Sequence, residues 1–437
     1  MIAMSGVRAC DPELLRLGLT LPGFVERGRT IASLPSLGLL TLAGMTPPEH
    51  EVCYREVRDI VQEPLEPFDL VAISTFTAQA YEAYALADAY RATGTMVVMG
   101  GLHVTTVPEE ATAHCDAVVV GEGEMRWAEV LADAARGALQ PIYRSAPREF
   151  DPATAPMPAF HLLDLDRYNR LTVQTQRGCP WRCEFCASSV LLTPHYKQKP
   201  AARVLAEIDA ICARWPRPFI EFADDNSMVD RRYWKALLPA LAKRGIRWFT
   251  ETDISVAEDD ELLELMRASG CAEVLIGLES PTEAGLAGLE TKVDWKRRKL
   301  SAHRPAVQRI QSHGIRVNGC FILGLDGQTP AIFDEVYRSV EELELFDVQI
   351  TIQTPFPGTP LYARLRDEGR LLADAPWERC TLFDVTYRPS NMTVEELQSG
   401  FRDLAERLYS EDATRRRHER FADQFLRARR RSAPPAS

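Results

Sequence analysis

The chain has 437 residues, 46% of them hydrophobic and 26% charged, with a formal net charge of −11. That length holds two or three domains with cores of their own, and an acidic chain without a basic stripe argues against nucleic acid as its main partner. No apolar run reaches the roughly 18 residues that span a bilayer. The start, MIAMSGVRACDPELLRLG, lacks the basic and apolar regions of a signal peptide.

The first 140 residues alternate Val- and Ile-rich runs with helical patterns. DLVAIST (69–75), MVVMG (96–100) and DAVVVG (116–121) each read as a buried strand, and MIAMSGV as a short first one. Helical patterns that end on Gly94 and Gly137 lie between and after them. Buried strands alternating with helices mean a parallel sheet covered on both faces, a Rossmann-like domain over 1–140. Residues 141–168 turn Pro- and Ala-rich and read as a linker.

A second strand–helix alternation occupies 169–375. Its strands are LTVQTQ (171–176), FIEFAD (219–224), RWFTETD (247–253), AEVLIGLE (272–279), IRVNGCFILG (315–324) and VQITIQT (348–354). Val204, Leu205, Ile208, Ile211, Cys212 and Trp215 make one apolar stripe at helical spacing. Ser255 and Glu258 suggest a capping box before the next helix, which Gly270 stops. Six strands with crossover helices predict a partial (β/α)6 barrel, whose active site sits at the C-terminal strand ends. Residues 376–437 form a helical segment with a Thr393–Glu396 capping box, and the arginine clusters after residue 414 read as a solvated helical tail.

Seven of the ten cysteines are scattered singly, which suits a reducing cytoplasm. The other three, Cys179, Cys183 and Cys186, stand in RGCPWRCEFC with C-x3-C-x2-C spacing, just after the first barrel strand. A structural zinc site closes with four ligands, usually from two C-x2-C knuckles; His195 is available as a fourth, but nothing in its spacing demands it. An iron–sulfur cluster is the alternative that thiolates favour. Three cysteines on a cubane leave one iron open, and at a barrel mouth an open iron can bind a substrate or cofactor. Gly178 permits a tight turn there, Pro180 stiffens the loop, and Trp181 and Phe185 can shield the sulfurs.

This motif, with the aromatic Phe185 before its last cysteine, resembles the signature of the radical S-adenosylmethionine superfamily. The resemblance covers most of 169–375 and implies a 4Fe–4S cluster whose open iron chelates S-adenosylmethionine. An electron from the cluster then cleaves the sulfonium to methionine and a 5′-deoxyadenosyl radical. It further implies an external electron donor such as flavodoxin or ferredoxin. By the same resemblance Asp224, Asp225 and Asn226 (FADDN), Glu251 (FTETD), and Glu279 and Ser280 (IGLESP) are cofactor contacts at successive strand ends. GCFILGLDG (319–327) resembles the region beside the adenine, and PFPGTPLY (355–362) a motif of the cobalamin-linked branch.

The first domain lacks the GxGxxG of dinucleotide folds, and GEGE (121–124) alone is a weak phosphate signal. PSLGLLTLAG (35–44), DLVAISTFTAQA (69–80), VVMGGLHVTTVPEEA (97–111) and DAVVVGEGE (116–124) resemble the cobalamin-binding module that precedes many such barrels. That places Ser74, Thr75, Gly100 and Gly101 where the nucleotide tail and corrin edge pass. The Asp-x-His-x-x-Gly motif that ligates cobalt from below is absent after the first strand. His103 is the substitute to weigh, and a loop position near the corrin edge is the plainer expectation for it. The combined resemblance implies a cobalamin-dependent C-methyltransferase on a small metabolite. Radical cyclisation, rearrangement or oxidation, with or without cobalamin, and a sensor without turnover are the alternatives.

Overall fold

The computed structural model describes residues 1–4, 9–16, 34–57, 59–61, 63–146, 149–187, 195–290, 293–373 and 375–432, without the side chains of 15, 16 and 428–432. Six strands, β1 (Ile2–Met4), β2 (Arg55–Val57), β3 (Leu70–Ser74), β4 (Met96–Gly100), β5 (Ala117–Val120) and β6 (Ile142–Arg144), form a parallel sheet in the order β2-β1-β3-β4-β5-β6. Its residues alternate between two cores. Val71, Ile73, Val97 and Met99 pack with Ala83, Ala87 and Tyr90 of the helix Ala80–Ala92, while Ala72, Val98 and Val119 pack with Trp127 and Val130 of the helix Trp127–Ala135. Both faces are therefore covered, which is why these strands are apolar throughout. The sheet also takes in Ile142–Arg144, from the stretch whose composition suggests a linker. The order of winding across the sheet reverses at β1, between β2 on one side and β3 on the other, the arrangement that leaves a crevice at the carboxyl ends of the strands.

The second sheet is wound in one direction only. β7 (Leu171–Val173), β10 (Phe219–Ser227), β11 (Arg247–Thr252), β12 (Cys271–Glu279), β13 (Arg316–Leu323) and β14 (Asp347–Ile352) lie parallel, each beside its neighbour in the chain. Right-handed crossovers in such an order put every helix on one side. That side carries Ile220, Phe222, Trp248, Val274, Ile276, Val317, Phe321, Val348 and Ile350, in one core with Val204, Ile208, Leu237, Leu241 and Val307 of the helices. The alternate positions, among them Glu221, Glu251, Glu273, Asn318, Asp347 and Thr351, belong to the inner face of an open barrel. An antiparallel ribbon of β8 (Gln176–Arg177) and β9 (Lys197–Gln198) closes the base of the cysteine loop.

Two local expectations change. The helix Asp260–Ala268 is capped by Asp259, which accepts from the Leu262 N–H at 3.0 Å. Ser255 and Glu258 lie instead in the 3-10 turn Ile254–Glu258, one turn too early to cap it. The second change concerns the C-terminal arginines. The helix Glu411–Ser432 is docked on the barrel: Ala413 and Arg417 are buried, His418 stacks on Phe346 at 4.3 Å, and Arg417 donates to Leu408 O at 2.6 Å. Residues 413, 417 and 421 share one helix face, so the tail is amphipathic and its charged face is what the composition reports. The Thr393–Glu396 capping box is present.

Candidate functional site

The cysteine loop starts where β8 ends, and two adjacent carboxylates of β10 hold that start. Asp224 accepts from Thr175 N (2.8 Å), Thr175 Oγ1 (2.6 Å), Gln176 N (3.0 Å) and Ser227 Oγ (3.0 Å). Asp225, on the other side of the same strand, accepts from Gly178 N at 2.9 Å. Gly178 has φ +86°, a left-handed conformation open to glycine at little cost. Farther along, Cys183 bridges to Glu290, Glu184 N donates to Leu289 O at 2.9 Å, and Leu361 N donates to Glu184 O at 3.1 Å. The Glu184 carboxylate takes both arms of Arg364, at 2.6 and 3.1 Å. Phe185 sits between two apolar clusters, one with Leu286, Leu289 and Leu325, the other with Leu361 and Tyr387. The loop is thus tied to three other strand ends.

Trp181 donates to Asp253 Oδ2 at 3.0 Å and stacks on Trp295 at 4.6 Å. Asn226 and Asp253 exchange two hydrogen bonds, at 3.0 and 3.1 Å. Burial opposes the charge on Asp253, but bonds from Ser255, Asn226 and Trp181 outweigh it and hold the carboxyl below the usual range.

At the end of β12, Glu279 has φ +62°, a conformation that costs a non-glycine residue about 1 kcal/mol or more. Lys296 Nζ donates to its carboxylate at 2.6 Å and to Gly277 O at 3.0 Å. Burial alone would lower the Lys296 ammonium; Glu279 and Cys183 hold it above the usual lysine range. Burial pushes the Cys179 thiol up to about 11 and raises Cys183 further, against the pull of Lys296. Cys320 of β13, in register with Gly277, is raised by burial and by Glu279 and Glu251.

A cavity of about 350 Å³ opens at the carboxyl ends of β3 to β5. Ser74, Gly100, Gly101 and Gly121 line it from the first sheet, Leu37, Leu39, Thr41 and Leu42 from the helix Leu37–Met45, and Gln174, Arg177, Lys199 and Asp225 from the barrel. Arg177 is held by Glu122 (3.2 Å), by Glu124 and by Gln174 (2.9 Å), and lies 4.5 Å from the Phe150 ring. The GEGE turn therefore presents its carboxylates to a guanidinium, which is the opposite of a phosphate cradle.

In kind the donor set suits an iron–sulfur cluster, with three cysteines on one short loop and Cys186 acting electrostatically on both others, while among the described residues no three ligand side chains are already gathered as a metal site. The raised thiols of Cys179 and Cys183 need a metal to displace the proton. Gly100, Gly101 and Gly121 in the cavity wall let a ligand approach the backbone closely. A Cβ on Gly101 (φ +99°) would lie 2.7 Å from Thr75 O, and one on Gly121 would lie 2.3 Å from Ser145 Oγ, so side chains are shut out of this wall. No imidazole is among the described residues that line the cavity.

Of the expected contacts, Cys179, Cys183, Cys186 and Phe185 share the loop, Asp225, Ser74, Gly100 and Gly101 line the cavity, and Glu279 stands at the mouth with Glu251 exposed on β11. Others do different work. Asp224 is saturated by its four donors; burial raises its carboxyl to about 6 and those bonds limit the rise. Asn226 is committed to Asp253 and the loop. Ser280 is fully buried and accepts from Gln328 at 3.3 Å. Thr75 turns its hydroxyl to Phe76 O at 3.0 Å, away from the cavity. His103 is buried between Tyr84 and Trp377, and burial lowers its imidazole to about 4. Arg177 and Lys296 were missed; the adjacency of Arg177 to the cysteine motif was the available signal, and Lys296 gave none.

Comparison with known proteins matches residues 173–340 to the radical SAM superfamily, residues 32–131 to the B12 binding domain and residues 359–436 to a domain of unknown function. Bacteriochlorophyllide d C-12(1)-methyltransferase of Chlorobaculum tepidum is 27% identical over 88% of this chain and 84% of its own length. An uncharacterized methyltransferase of Synechocystis is 31% identical over 78% of this chain and 65% of its own. Among solved structures, the radical S-adenosylmethionine methyltransferase TsrM from Kitasatospora setae, with cobalamin and a [4Fe-4S] cluster bound, superposes with a TM-score of 0.67 at 15% identity. That match covers 99% of this chain and 100% of TsrM.

Proposed function

The chain belongs to the radical S-adenosylmethionine enzymes that carry a cobalamin-binding domain, and from that premise we propose that it methylates an unactivated carbon of a small metabolite. The observation that carries this reading is the continuity of the two sites. Asp225, which lines the cavity, also accepts from Gly178 N, one residue before the first cysteine. When bound, the cluster supplies the electron that splits S-adenosylmethionine to a carbon radical initiator, and cobalamin supplies a methyl carrier.

In this reading Cys179, Cys183 and Cys186 hold the cluster, and Ser74, Gly100, Gly101 and Asp225 border the corrin. Glu279 and Lys296, with opposite charges beside Cys183, meet the amino and carboxylate groups of S-adenosylmethionine. The Trp181–Asp253–Asn226 bonds keep the loop in place and cover one side of it from water. A tetrapyrrole or lipid-like substrate suits the relative that acts on bacteriochlorophyllide d. Among the described residues no disulfide forms and no helix is long and apolar enough to cross a membrane. In this reading the protein works in a reducing cytoplasm and takes its electron from a flavodoxin- or ferredoxin-type donor.

The test is anaerobic turnover of reconstituted protein with reductant and methyl-labelled S-adenosylmethionine, offered candidate tetrapyrroles and lipids. Label in the product, with both S-adenosylhomocysteine and 5′-deoxyadenosine formed, is the expected result. Deoxyadenosine alone with an unlabelled, altered product would replace methyl transfer by cyclisation or oxidation.

A further inference from the structure

Arg177 comes two residues before Cys179, yet its guanidinium is spent on the other domain. Glu122 and Glu124, on the turn that follows β5, accept from its two terminal nitrogens, while Gln174 of its own domain accepts from Nε at 2.9 Å. The Phe150 ring covers the guanidinium, and Lys197 of β9 donates to Glu122 Oε2 at 3.3 Å and to Phe150 O at 2.5 Å. All these side chains are largely shielded: Arg177 is 16% exposed, Glu122 12% and Glu124 7%. Charge-assisted, forked bonds of this kind fix orientation as well as distance.

The same side chains do a second thing. Glu122, Glu124, Phe150, Gln174 and Arg177 all line the cavity at the carboxyl ends of β3 to β5. The wall against which a ligand in that cavity rests is therefore the anchor of the loop that carries the cysteines. A tie that only joined two domains could sit anywhere along their contact; this one sits between the two ligand sites.

We propose that Arg177, Glu122 and Glu124 are positioning residues that couple the two sites, so that cobalamin in the cavity and S-adenosylmethionine at the cysteine loop raise each other's affinity. The inference rests on the two-cofactor reading above. A ligand seated on the Gly121–Glu124 turn orders the two carboxylates; ordered carboxylates fix Arg177, and with it the backbone at Gly178. Whichever ligand binds second then finds that ordering already done. Linkage makes the effect equal in both directions.

The experiment measures four dissociation constants on cluster-loaded protein. Hydroxocobalamin is titrated by its absorbance with and without S-adenosylmethionine, and S-adenosylmethionine by the electron paramagnetic resonance of the reduced cluster with and without hydroxocobalamin. The wild-type protein should show the same factor both ways, about tenfold. In Glu122→Gln/Glu124→Gln the factor should fall to within about twofold of unity, with iron content and the spectrum of the reduced cluster unchanged. Arg177→Lys, which keeps the charge and loses the fork, is the second variant should the first not fold, and should lower the factor to an intermediate value. A wild-type factor of one, or a factor left intact in both variants, overturns the coupling alone. Failure of wild-type, cluster-loaded protein to bind hydroxocobalamin overturns the coupling and the two-cofactor reading together.

Discussion

The barrel buries charge at both ends, in two different ways. At the mouth Asp224 has four donors, Asp253 three partners and Glu279 the ammonium of Lys296, while Glu290 keeps one buried oxygen without a partner. At the floor, Glu273, Asn318 and Asp347 each keep a buried acceptor oxygen without a hydrogen-bond partner. Burial and the neighbouring Asp347 push the Glu273 carboxyl up to about 8, and burial pushes Asp347 up to about 6 despite Arg417 3.6 Å away. The mouth is arranged around carboxylates that hold loops and face the ligand sites. The floor is closed by Glu273, whose carboxyl favours its neutral form, beside Asp347 and an arginine from the C-terminal helix. Strand-end position separates groups that meet ligands from groups that close a core.

The strongest way to break the mouth is at its thiols. Cys183→Ala should abolish 5′-deoxyadenosine formation and bleach the cluster absorbance of anaerobically reconstituted protein, while leaving the floor, and so the thermal transition of the metal-free protein, close to wild type. A large fall in that transition would mean that the loop supports the barrel and does not merely rest on it.

Next in size is Lys296→Met. Removing one partner of a buried ion pair leaves the other charged and uncompensated, at a cost of about 3–5 kcal/mol, and here Glu279 also sits in a strained conformation. Denaturant unfolding should record that loss. Glu279→Gln added to Lys296→Met should recover much of it, because both charges are then gone. No recovery would place the effect outside the pair.

How much of this could be read beforehand follows the same division. The strands were legible because parallel strands covered on both faces, or on one face by helices, must be Val- and Ile-rich. The cysteine loop was legible because three thiols at that spacing have few uses. The partition of work within FADDN was not: Asp224 and Asp225 differ only in which side of β10 they occupy, and that side decides between a saturated bracket and a cavity wall. Lys296 was hidden in WKRRK, where four basic residues in a row read as a solvated helix and only packing turns one of them inward. Arg417 was hidden in the same way among the C-terminal arginines. Glu273 and Asp347 gave no signal, since an acid inside a strand pattern reads as an ordinary outward residue until the strand is bent into a barrel.

The smallest effect is also the one that tests the floor by sign. Glu273 has its folded-state carboxyl raised from 4.5 to about 8, first by burial and then by Asp347. An acid raised on folding contributes fully below its unfolded value, and the contribution is lost as pH climbs through the folded value. Wild-type stability should therefore erode between pH 5 and pH 8 through this site. Glu273→Gln does not titrate, so its stability relative to wild type should grow by about 2 kcal/mol from pH 5 to pH 9; the coupled titration of Asp347 keeps the gain below the full shift. Thermal melts of the two proteins at pH 5, 7 and 9 read the difference directly. A gap that stays constant with pH would mean that Glu273 is ionised in the folded barrel at pH 5, held by Arg316, and the floor would then be built on ion pairs as the mouth is.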